Sequence, residues 1–104
     1  MIDKIDITER LKSDFGDNSQ EATQIILDAI SKYEYLNSPR IIRCIIHLSE
    51  KSLNGLKQSI NQAKEDPRDV MLWAEYINLK ENQEPKRIRD FSKTFQNCEN
   101  NVKE

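Results

Sequence analysis

Cys44, His47 and Glu50 follow one another at three-residue intervals in PRIIRCIIHLSE: a thiol, an imidazole and a carboxylate at helical spacing. Residues three apart share a helix face. Glu50 could then orient His47 as a general base, and His47 could draw the proton from Cys44 for nucleophilic attack. Two features oppose that chemistry. Cys44 sits among isoleucines, where a cysteine usually behaves as a small hydrophobe. No glycine-rich turn is present to build an oxyanion hole. His47, four residues after Arg43, reads as a residue of a solvated helix face. No residue is assigned to catalysis, and the chain is expected not to be an enzyme.

Asp66 and Asp69 form a second candidate pair, suited to acid–base work or a metal. They stand in DPRDVMLWAEY, where local needs explain both. Asp66 is placed to cap a helix, Pro67 to take its first position, and Asp69 to meet the positive end of the helix dipole. No histidine or third acid lies at ligand spacing beside them. No phosphate loop, dinucleotide fingerprint or zinc spacing occurs anywhere. Neither metal nor cofactor is expected.

The third candidate is basic. Lys86, Arg87, Arg89 and Lys93 interleave with Ile88 and Phe91, and Arg40 and Arg43 supply two more cations. Cations alternating with aromatics can hold a nucleic-acid backbone. The run is short, however, and Asp90 interrupts it. Phosphate binding normally recruits more cations than this.

The elements that must position these residues are short helices. The chain has 104 residues, enough for one domain. It is 37% hydrophobic and 33% charged, with mean hydropathy −0.79, so the core is lean. Two glycines and three prolines argue for helices with short links over a turn-rich sandwich. Charge is blocked along the chain. Residues 1–38, 39–64, 65–85 and 86–104 carry −4, +4, −4 and +2 respectively. Alternating blocks can neutralise one another when folded side by side. The only two cysteines form no CxxC pair, and no signal peptide opens the sequence, so a cytoplasmic protein with reduced thiols is expected. No apolar run approaches the ~20 residues that span a bilayer, so no membrane partner is expected.

Periodicity places the helices. Asp6 with Glu9 has capping-box spacing before the stripe Ile7, Leu11 and Phe15, and Gly16 suits a left-handed helix end. Asn18 with Glu21 opens a second helix, whose apolar residues from Ala22 to Leu36 share one side and which should end near Asn37. Ser38-Pro39 starts a third, whose wide arc of isoleucines suggests a central position. Ser52 or Asn54 caps a fourth carrying Leu53, Leu56, Ile60 and Ala63. The fifth runs from Asp66 to Leu79, with a core stripe of Val70, Trp73, Ala74 and Ile77. Leu72 and Leu79 project to nearly the opposite side, flanked by Met71 and Tyr76. These four are the candidate interface, a second apolar face on a helix that carries Trp and Tyr, the favoured interface anchors. Residues 80–85 read as a loop, and Ile88, Phe91 and Phe95 as a closing short helix.

PRIIRCIIHLSEKSLNGLKQSINQAKEDPRDVMLWAEY together with RIRDFSKTF resembles a small family of uncharacterised bacterial all-helical proteins, over residues 39–95. Arg43-Cys44 and the block from Arg68-Asp69-Val70 to Tyr76 are its most specific elements. The resemblance implies bacterial origin and a compact helical domain. It brings no activity and no functional residue.

The sequence therefore predicts an all-α, compact bundle of four to six short, mostly antiparallel helices. Residues 1–95 form one helical domain and 96–104 a polar flexible tail. The expected function is a non-enzymatic protein-interaction or adaptor module, its partner another protein or a second copy. A nucleic-acid-associated accessory protein using the basic residues is the alternative, and a small enzyme the third.

Overall fold

Serine, aspartate and proline set three of the helix starts, and the core forms on the faces between them. The computed structural model describes residues 4–77, 79 and 84–98. The protein is an all-α bundle of helices α1 (Ile5–Phe15), α2 (Ser19–Lys32), α3 (Pro39–Ser49), α4 (Leu53–Glu65) and α5 (Pro67–Glu75). A two-residue antiparallel pair follows, β1 (Tyr76–Ile77) with β2 (Lys86–Arg87).

Ser38 accepts from the Ile41 amide at the start of α3, Ser52 from Gly55 in α4, and Asp66 from Arg68 in α5. Each satisfies one of the orphan N–H groups of a first helical turn. Pro39 and Pro67 take first positions that need no N–H. Ile41, Ile42, Cys44, Ile45 and Ile46 of α3 are all buried, and α3 touches α1, α4 and α5. It is the central helix that its wide apolar arc suggested.

Helix α3 and helix α4 meet closely where the chain turns between them. Glu50 and Lys51 both adopt positive φ, 54° and 66°, to make that turn. A Cβ on Gly55 would overlap the Ser49 carbonyl. The glycine that weakens the first turn of α4 is what lets the two backbones approach.

Four expectations are corrected. Asp6 does not cap α1; Lys4 precedes the helix, and Asp6 lies inside its first turn, 7% exposed. A buried arginine, described below, claims its carboxylate. Asn18 makes no capping bond, and α2 stops at Lys32, before a short 3-10 turn (Glu34–Leu36) that buries Leu36. Helix α5 stops at Glu75, because Tyr76 and Ile77 turn extended to pair with Arg87 and Lys86. The closing segment around Ile88, Phe91 and Phe95 is a series of turns, not a helix, although Phe91 is 1% exposed.

The buried stripe of α5 is also rotated. Val70, Ala74 and Glu75 are buried, whereas Trp73 is 44% and Ile77 41% exposed. Both had been expected in the core. An acid occupies the inward position that the pattern gave to tryptophan, because two arginines wait for it there. Of the loop expected over 80–85, residues 80–83 lie outside the described residues. Cys98, assigned to the tail, is buried, and its carbonyl accepts from the Asp90 amide at 2.7 Å. The fold thus reaches at least to Cys98. Residues 99–104 of that tail lie outside the described residues.

Candidate functional site

Two buried carboxylates organise the polar interior. The first is Asp6. Its Oδ2 accepts from Arg43 Nε at 2.8 Å and its Oδ1 from Arg43 Nη2 at 3.1 Å, a bidentate pair between two buried side chains. The Phe95 amide also donates to Asp6 Oδ2 at 3.0 Å, and Arg43 Nη1 donates to the Phe91 carbonyl at 3.0 Å. Burial alone would raise the Asp6 pKa. The bond from Arg43, the Phe95 amide and the guanidinium charge outweigh that and hold it below the usual aspartate value.

The second is Glu75, fully buried at the end of α5. Arg40 reaches it with Nε at 3.0 Å and Nη2 at 2.6 Å, and Arg87 Nη2 at 3.2 Å. The Phe91 amide donates to its Oε2 at 2.9 Å, and its own backbone carbonyl accepts from Ile88 and Arg89. The two acids therefore grip one segment, residues 88–95, from two sides. The ion pairs of Asp6 with Arg43 and of Glu75 with Arg40 and Arg87 each join an acidic block of the sequence to a basic one, which is the self-neutralisation that the charge blocks suggested.

This arrangement consumes most of the basic candidates. Arg43 is 4% exposed and belongs to the interior, so it is not part of a basic surface. Arg40 and Arg87 point their guanidinium groups at Glu75, and Arg87 also reaches Asp90 at 3.0 Å. Arg89 Nη1 donates to the Ala74 carbonyl at 3.2 Å. Lys86 and Lys93 are exposed.

The thiol–imidazole–carboxylate trio does not assemble as a nucleophilic site. Cys44 is fully buried, and burial, helped by the charge of Glu75, pushes its thiol up to about 12. His47 is half-buried and packs against Phe91, the rings tilted by 45° with centroids 5.3 Å apart. Glu50 is exposed at the left-handed end of α3. A thiol so far from ionisation is a poor nucleophile near neutral pH. Native protein should therefore resist iodoacetamide at Cys44 and be labelled there only after unfolding, as peptide mass spectrometry would read. Rapid labelling in the native state would contradict this placement. Asp66 is bonded to Arg68 through both oxygens, and no group of three His, Cys, Asp or Glu suited to a metal occurs among the described residues.

Outside this network a few large apolar side chains are exposed. Leu72 and Trp73 of α5, Ile77 of β1 and Leu79 beyond it, a ridge in sequence order, are 39–44% exposed, while Ile5 and Tyr35, more exposed still, lie elsewhere in the chain. Of the four candidate interface residues, Leu72 and Leu79 are on this ridge and Tyr76 is half-buried. Met71 is half-buried and packs against the core. Sequence reasoning missed Glu75 and Asp6 as organising residues and misplaced Trp73. One signal was readable: Glu75 is a lone acid inside VMLWAEYI, a run that otherwise reads as wholly apolar.

No family model, curated protein or solved structure matches the chain.

Proposed function

We propose that this chain is a non-enzymatic, cytoplasmic protein-interaction or adaptor module that engages its partner through the ridge Leu72, Trp73, Ile77 and Leu79. The observation that carries this reading is an inversion of the usual partition. Asp6, Arg43 and Glu75 are buried, while Leu72 and Trp73 of α5, Ile77 of β1 and Leu79 beyond it are left at the surface. Charged side chains rarely go inside unless paired, and apolar side chains gathered in one exposed patch mark contact surfaces. A tryptophan on a short helix buries large area at little rotamer cost. The withdrawal of Cys44 into the core supports the absence of thiol chemistry from this function. Among the described residues no helix is long and apolar enough to cross a membrane.

Affinity capture from native lysate, with mass spectrometry, tests the proposal. The chain and its Leu72→Gln/Leu79→Gln variant are compared as baits. A partner, or a second copy, retained by the first and lost by the second is the expected result. Identical captures by both would overturn it.

A further inference from the structure

Beside the ridge, α4 and α5 enclose an open groove of about 420 Å³ with Leu48 and Val70 among its lining residues. That size lies within the ~300–1,000 Å³ range of ligand pockets. Deepening the reading of α5 as an interaction surface, we propose that this groove receives an uncharged, extended peptide segment of the partner protein. Three observations converge on that occupant.

The first is charge. One third of the chain is charged, yet none of the groove's lining residues is. An ionised side chain entering it would lose water without meeting an opposite charge. A neutral segment would not. Complementarity here means neutrality.

The second is hydrogen bonding. Gln58, Asn61 and Gln62 stand at i, i+3 and i+4 of α4 and so share one face of that helix. Their side chains bond no other described residue, unlike Gln24, which donates to Asp28, or Asn97, which donates to Thr94. Each carboxamide carries a carbonyl acceptor and an NH₂ donor, the same pair that a peptide group presents. A helical partner keeps those backbone groups for itself, whereas an extended one offers them outward.

The third is shape. Trp73 forms part of the opposite wall from α5 and joins the groove to the ridge. Its indole, with the half-buried Leu48, can take an apolar side chain of the segment while the backbone faces α4.

Trp73 is the only tryptophan in the chain, so intrinsic fluorescence reports this groove directly. A phage-displayed library of random dodecapeptides is selected against the full chain. Enriched sequences are then made as synthetic peptides and titrated while emission is followed. Uncharged sequences should emerge, shift the Trp73 emission, and lose at least ten-fold in affinity for a Gln58→Glu/Gln62→Glu variant. Lys57→Glu, which adds the same kind of charge at a position outside the lining, should leave affinity within about two-fold. The proposal is overturned if no peptide is enriched or if the enriched ones are charged. It is equally overturned if the Gln58→Glu/Gln62→Glu variant binds as well as the parent, or if maltotriose shifts the emission and peptides do not. The ridge reading fails separately, through lysate captures indifferent to Leu72 and Leu79.

Discussion

Asp6→Ala should destabilise the protein by about 3–5 kcal/mol, the usual consequence of stripping the partner from a buried charge. Arg43, with its side chain 5% exposed, would be left charged with no carboxylate beside it. The Phe95 amide would lose its acceptor as well. For a lean domain whose total stability is on the order of 5–15 kcal/mol, that is a large fraction. Urea denaturation followed by circular dichroism measures it. Replacing both partners, as Asp6→Leu/Arg43→Met, should recover much of the loss, because an apolar pair of similar volume avoids the desolvation that the ions suffer. A single Asp6→Ala midpoint equal to that of the parent would refute the role assigned to this pair.

The same carboxylate sets an acid limit. A carboxyl whose folded pKa lies below its unfolded value, near 3.8, binds its proton more weakly in the folded state. Its contribution is therefore complete only above about pH 5, falls off as pH drops through the unfolded value, and is lost below the lower folded one. Above pH 5 the Asp6–Arg43 pair should add no pH dependence to stability.

Glu75→Ala should cost about 3 kcal/mol, with a more local consequence. Arg40 and Arg87 are 38% and 36% exposed at their side chains and can turn to water, which softens the loss. The buried Phe91 amide cannot, and an unsatisfied buried donor costs about 1–3 kcal/mol by itself. Amide exchange of residues 88–95 should accelerate before that of α3 and α4, because Glu75 fastens that segment to the bundle. Glu75→Gln keeps an acceptor for Phe91 and should fall between parent and alanine. Exchange that rises evenly over the whole chain would show that the segment does not open as a separate unit.

The helices were legible because local chemistry decides them. Ser38-Pro39, Ser52 and Asp66-Pro67 are start signals whose partners lie within three residues, and all three act as read. The isoleucine arc of α3 likewise announced its central position. Legibility failed where a distant residue outcompeted a local role. Asp6 has the spacing of a cap, but Arg43, thirty-seven positions away, offers a buried bidentate bond worth more than a cap. Glu75 displaced Trp73 from the inward face for the same kind of reason, with Arg40 and Arg87 as its partners. The hairpin pairing of Tyr76 with Arg87 is likewise non-local, so periodicity carried α5 four residues too far. At the candidate site, Leu72 and Leu79 were visible as a second face. Trp73 and Ile77 joined them only once the inward positions were known.

The bundle closes its core without Leu72, Trp73, Ile77 and Leu79, which stand 39–44% exposed. Urea denaturation of the Leu72→Gln/Leu79→Gln variant tests it most directly. Surface substitutions usually change stability by no more than ~0.5 kcal/mol each, so the variant should unfold within about 1 kcal/mol of the parent and keep its helical circular dichroism. A loss of several kcal/mol, comparable with that of Asp6→Ala, would place both leucines in the core and contradict the account.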